Sequence, residues 1–169
     1  SGRLLWKKSP VEGKTFDSHV ADEFGNYAYL MGCDVDQSNP EVQAMTIDWA
    51  AWYLDTTGVD GLRLDAVKHI PAWVLPIYLD ALRAHSGREI PVVAEYWSAD
   101  LGALQWFLTA VGDRMMLFDV PLHFAFHRAG LQGNAFDLRT IFDGSLVAGR
   151  HDMAVTFVKQ EEKARRQEQ

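Results

Sequence analysis

Cysteine is nearly absent: Cys33 stands alone among 169 residues, so no internal disulfide can close and no two-cysteine metal site can form. Such usage suits a reducing compartment. No apolar run reaches the ~18 residues that a membrane-crossing helix needs. Residues 1–30 also lack a basic start followed by an apolar stretch, so neither a span nor a secretory leader is expected. Positive charge is scarce as well. Lys and Arg number 16 against 23 Asp plus Glu, a net charge of -7, the sign that a phosphate backbone repels. Nucleic acid is therefore not an expected partner. The chain has no HxH, HExxH or cysteine cluster, which leaves a metal-dependent hydrolase without support. There is no initiator methionine, and the opening SGRLLWKKSP carries no helix or strand signal, so residues upstream of Ser1 are expected.

What is present is the composition of an ordinary globular domain: 48% apolar, 12% aromatic and 23% charged side chains. A single domain of this length buries roughly 68–70% of its unfolded surface. From Asn39 onward, short apolar runs alternate with longer amphipathic stretches, which predicts an α/β fold around a parallel sheet. Asn39 and Pro40 hold cap and first-turn places for a helix with Val42, Met45, Trp49, Trp52 and Tyr53 at helical spacing. After Gly58, GLRLDAV reads as a strand with Leu62 and Leu64 on one side and Arg63 and Asp65 on the other. A helix from Pro71 to His85, stopped by Gly87, leads to a second strand, IPVVAEY. Ser98 is the expected cap of the next helix, with Leu101, Leu104, Phe107 and Leu108 inside and Trp106 in the core. MMLFDV is the third strand, Asp137 caps LRTIF after a mixed segment, and AVTFV is the fourth strand. Residues 1–38 read as a long loop or excursion, and 159–169, KQEEKARRQEQ, as a solvated tail.

Three of the four strands end in acids: Asp65, Glu95 and Asp119. In parallel α/β sheets the carboxyl ends of strands gather around one crevice, so acids there are candidates for chemistry. They are also natural caps for the helices that follow. Read functionally, Asp65 and Glu95 form the carboxylate pair of a retaining glycosidase, one ionised nucleophile and one acid/base. Arg63 would hold Asp65 ionised, while the neighbours Ala94, Tyr96 and Trp97 would make an apolar setting that raises Glu95. Tyr96, Trp97 and Trp106 supply flat faces on which sugar rings commonly lie.

The blocks GVDGLRLDAVKHI (58–70) and VVAEYW (92–97) closely resemble two signature blocks of the α-amylase family of glycoside hydrolases, family 13. GNYAYLMGCDVD, LFDVPLHFAFH and SLVAGRHDMAVTFV extend the resemblance to residues 12–158. It implies part of a (β/α)8 TIM barrel, roughly strands 4 to 7, with the end of a calcium-bearing excursion in residues 1–38 and the barrel in 39–158. It implies retaining hydrolysis of internal α-1,4-glucosidic bonds in starch or glycogen. Asp65 matches the nucleophile, Glu95 the general acid/base and Arg63 the arginine that orients the nucleophile. Lys68 and His69 match positions that contact glucose units, and Trp97 looks like a subsite aromatic. Asp17, Asp34, Asp36 and the His69 carbonyl match calcium or sodium ligand positions.

The pattern also breaks. Where the family has Asn-His-Asp, this chain has Lys159, Gln160 and Glu161, the junction expected of a shifted or prematurely ended reading frame. Ala28 and Ser38 replace expected acids of the excursion, so weakened or lost calcium binding is expected. The resulting expectation is an incomplete α-amylase-like chain, cytoplasmic, with weak or no hydrolysis alone. Another chain is a candidate for completing the barrel. The rival is a non-catalytic glucan-binding or interaction fragment.

Overall fold

The structure, a computed structural model, describes residues 35–158. The tail at 159–169 and all of the excursion before Val35 lie outside the described residues. Helix α1 (Pro40–Thr57) starts as its sequence dictates: Asn39 stays extended and its side-chain oxygen accepts the Glu41 amide at 2.9 Å. Pro40, with no N–H to leave unpaired, takes the first turn. The helix stops at Gly58, whose φ of 65° is left-handed and whose N–H donates to the Leu54 carbonyl.

Strands β1 (Leu62–Leu64), β2 (Val92–Ala94), β3 (Met116–Phe118) and β4 (Ala154–Val155) form one parallel sheet in the order β1-β2-β3-β4. Each crossover moves one place in the same direction, as in the wall of a barrel and unlike a doubly wound sheet. The crossovers are α2 (Val74–Ser86), α3 (Leu101–Ala110) and, between β3 and β4, α4 (Val120–Gln132) with the short α5 (Leu146–Gly149). Gly61 enters β1 because nothing larger fits: a Cβ there would stand 2.9 Å from the Pro91 carbonyl oxygen, the acceptor of the Leu62 amide.

Strand alternation sorts the side chains. Leu64, Ala94, Leu117 and Ala154 are level with one another across the four strands and belong to the core with Leu79, Leu104, Phe107 and Leu108 of the helices. Tyr96 continues that row, buried with its ring 4.8 Å from Phe107. The opposite row, Arg63, Val93, Met116 and Phe118, looks into the crevice. At the amino ends of the strands, Arg114 grips Asp80 of α2 through Nε and Nη2 at 2.9 Å each. Arg83 donates to the Ile90 and Arg114 carbonyls, stitching α2 to the entries of β2 and β3.

Several expectations are corrected. The second helix begins at Val74, because Pro71 to Trp73 form a preceding turn closed by Val74 N–H to Pro71 C=O at 3.1 Å. Asp100, not Ser98, caps α3; its Oδ1 accepts the Gly102 amide, while Ser98 Oγ accepts the Asp100 amide. Trp106 is not core but half exposed, since α3 buries the stripe Leu104, Phe107 and Leu108 instead. Trp49, Trp52 and Met45 of α1 are exposed as well. The mixed segment after β3 is the regular helix α4, announced by Asp119-Val-Pro as cap and first turn. No helix among the described residues is long and apolar enough to cross a membrane.

Asp119 itself turns out to be structural. One residue beyond Phe118 it falls on the helix side, fully buried, where Oδ1 accepts Leu122 N–H at 3.0 Å and Leu146 N–H at 3.1 Å. Its Oδ2 accepts Val147 N–H at 2.8 Å, so one carboxylate caps both α4 and α5. Replacing Asp119 by Ala is expected to cost about 2–4 kcal/mol, read as a lowered urea midpoint. An unchanged midpoint would refute the double cap.

Candidate active site

The site forms where β1 and β2 end. Parallel pairing runs one residue past both strands: Glu95 N–H donates to Leu64 C=O at 2.9 Å, and Val67 N–H donates to Glu95 C=O at 3.0 Å. Between these bonds the chain turns sharply through Ala66, whose φ of 50° is left-handed. An L residue gives up roughly 1–2 kcal/mol in that conformation, which the surrounding bonds offset. Asp65 is thereby fixed beside the end of β2, and a 3-10 turn, Val67–His69, follows it.

Arg63 joins the two acids. Its Nη1 donates to Asp65 Oδ1 at 2.6 Å, and its Nη2 donates to the Glu95 carboxylate. Asp65 titrates below its ordinary 3.8, chiefly through the Arg63 hydrogen bond and secondly through its bond with the Glu95 carboxyl. At 73% exposure of its side chain, that pair adds little to stability; its effect is on protonation and placement. The setting expected for Glu95 is corrected. Tyr96 points to the opposite side of the sheet, and Glu95, though beside the Trp97, Phe118 and Phe157 rings, has a guanidinium as its partner.

A cleft of about 180 Å³ is lined by Arg63, Glu95, Trp97, Phe118 and Phe157. Trp97 comes two residues after Glu95, on the same face, and its carbonyl accepts Lys68 Nζ at 3.1 Å. Lys68 thus ties the β1 turn to the end of β2. His69 is half-buried at the end of the turn and does not line the cleft. The larger hollow, about 630 Å³ between α1, α2 and β1, is lined mostly by carbon, with Arg63 and Asp65 as its charged members. Asp65 lines this hollow and Glu95 the smaller cleft; Arg63, which lines both, joins them.

Sequence reasoning missed Phe118, Phe157 and His123. Phe118 and Phe157 pack edge to face at 5.2 Å, His123 stacks on Phe157 at 4.9 Å, and Trp97 lies 5.6 Å from His123. Alternation along MLFD would have found Phe118, since it shares parity with the crevice row and Asp119 does not.

Of the expected cation ligands, Asp17 and Asp34 lie outside the described residues. Asp36 Oδ1 accepts from Ser38 N–H and Oγ–H, a local turn. No group of three His, Cys, Asp or Glu suited to a metal ion forms among the described residues. The described residues alone do not make a calcium cage.

Two carboxylates, an arginine and an aromatic wall thus stand at the ends of parallel strands. The model of Glycosyl hydrolase family 70 matches residues 6–94, more than half of the chain. The chain belongs to the glycoside hydrolases of the α-amylase type, the class supported jointly by that family model and by its relatives. The matching model carries the number 70 where the motifs suggested 13. The α-amylase of Bacillus licheniformis is 42% identical over 92% of this chain and 30% of its own length. The cytoplasmic α-amylase of Escherichia coli K12 is 40% identical over 86% and 30%. The glucan 1,4-α-maltohexaosidase of Bacillus sp. strain 707 is 41% identical over 86% and 28%. The crystal structure of the Geobacillus thermoleovorans α-amylase, complexed with acarbose, superposes with a TM-score of 0.52 at 26% identity, over 62% of this chain and 25% of that one. The chain thus spans less than a third of the length of these relatives.

Because Asp65 titrates lower folded than unfolded, the contribution of its pair is complete above the unfolded value and is lost as pH falls through the lowered one. Carboxyl NMR titration of Arg63→Ala is expected to move Asp65 upward from its wild-type midpoint. An unmoved midpoint would show that Arg63 is not the cause.

Proposed function

We propose that this chain carries the two covalent-step carboxylates of a retaining hydrolase of internal α-1,4-glucosidic bonds in starch or glycogen. The observation that carries the reading is one guanidinium bound to both Asp65 and Glu95. The shared guanidinium keeps both carboxylates at the ends of neighbouring strands, as a double displacement with a carboxyl separation of ~5–5.5 Å needs. Glu95 protonates the leaving oxygen while Asp65 attacks the anomeric carbon, and Glu95 then takes a proton from the water that releases the sugar. The acid role requires a substrate to displace Arg63 Nη2 from Glu95, leaving Nη1 on Asp65. Trp97, Phe118 and Phe157 offer flat apolar faces to the sugar. Lys68 and His69 would contact glucose units beyond the bond cleaved.

In this reading the sheet is strands 4 to 7 of a (β/α)8 barrel, and residues 1–38 end the excursion after strand 3. Asp17, Asp34, Asp36 and the His69 carbonyl belong to a calcium site weakened by Ala28 and Ser38. Both sheet edges, β1 and β4, lack a neighbouring strand among the described residues. A partner chain completing the wall would answer this. The single cysteine and the resemblance to the E. coli cytoplasmic enzyme support a cytoplasmic setting. The aromatic lining also favours a second reading, glucan binding without hydrolysis, recognised by retention on starch with no sugar release.

Expected for the isolated chain is little reducing sugar from soluble starch. A 5-fluoro glucosyl fluoride, which forms the covalent adduct faster than water clears it, is expected to label Asp65 in peptide mass spectra and to leave Asp65→Asn unlabelled. Label on another residue, or label retained by Asp65→Asn, would overturn the nucleophile assignment.

A further inference from the structure

The aromatic wall of the cleft has a buried hub that does not itself reach the cleft. His123, on the first turn of α4, is 6% exposed. Its ring stacks on Phe157 at 4.9 Å with the planes 7° apart, lies 5.6 Å from Trp97, and meets Phe124 edge-on at 5.5 Å. Trp97 and Phe157 line the cleft beside Glu95; His123 does not. The two lining rings come from different strand ends, β2 and β4, so their relative tilt depends on what packs behind them.

We propose that His123 is a positioning residue: its flat ring, wedged behind Trp97 and Phe157, sets the angle at which these two rings face a glucan. This rests on the glucan reading above only for the identity of the ligand. The placement of His123 is itself determined, because its amide donates to the Asp119 carbonyl at 3.0 Å and Asp119 is locked by three backbone N–H groups. Rigidity therefore passes from the buried carboxylate through the first turn of α4 to the imidazole, and from there to the indole. The carbonyl of Trp97 is held independently by Lys68 Nζ, so backbone and ring have separate restraints. A planar ring at position 123 can satisfy the 7° stack; a branched aliphatic side chain of similar bulk cannot.

The test compares His123→Phe with His123→Leu in the full chain, both apolar at a buried place. The first reading needs no ligand: the Trp97 indole N–H resonance, assigned with Trp97→Phe. It is expected to stay near its wild-type shift in His123→Phe and to move toward that of a free indole, broadened, in His123→Leu. Phe157→Leu, which removes the other face of the stack from a half-buried position, is expected to move it likewise and serves if a variant at 123 fails to fold. The second reading is maltoheptaose titration, with affinity lowered about 2- to 12-fold in His123→Leu and kept in His123→Phe, the loss of one aromatic pairing. A wild-type indole signal in His123→Leu, or equal shifts in both variants at 123, would overturn the proposal. Wild-type chain that shows the expected indole responses yet binds no maltoheptaose would leave the positioning role standing and remove the glucan reading.

Discussion

Everything at the crevice depends on the parallel register between β1 and β2. Leu64 is level with Ala94, and the ladder continues past both strands until Val67 closes on the Glu95 carbonyl. Shifting that pairing by a single residue would turn Arg63 and Asp65 toward the helices and bring Leu64 to the crevice. The apolar row opposite is what forbids the shift, because Leu62, Leu64, Val92 and Ala94 must meet the helices together. The chemistry of one face is therefore set by the hydrophobicity of the other.

The two ends of the sheet are held by different means. At the amino ends, long cations reach across to helices and carbonyls, with Arg114 forked onto Asp80 and Arg83 bound to two strand entries. Such bonds tolerate exposure and carry no chemistry. At the carboxyl ends Arg63 pairs with its two acids, and ring packing among Trp97, His123, Phe157 and Phe118 adds to the cohesion. An apolar wall leaves the charges with few competing partners, which suits a place where a neutral, hydroxyl-rich ligand must displace one hydrogen bond without disturbing another.

The alternation of LRLD, VVAE and MLF, together with the caps at Asn39 and Asp137, was enough to read the class, the parallel sheet and the positions of Arg63, Asp65 and Glu95. What escaped was tertiary. Asp119 looks like Asp65 in one dimension, and only its parity, one step after Phe118, separates a cap from a crevice residue. Tyr96 and Trp97 are neighbours in the chain but lie on opposite sides of the sheet, so proximity to Glu95 overstated the first. His123 and Phe157 are 34 positions apart and meet only because α4 and β4 return to the same end. Nothing periodic marks such a pair. The exposure of Trp106 reflects a choice among adjacent helical stripes, which composition alone leaves open.

The buried carboxylate of Asp119 has a further consequence for how the chain moves. Because α4 and α5 begin on the same two oxygens, neither can fray from its start without leaving a buried carboxyl oxygen short of a partner. Opening at one start therefore disturbs the other, and the first turns of α4 and α5 are expected to exchange their amides together. His123, rooted in the first turn of α4, shares that restraint and backs Trp97 and Phe157 from within it.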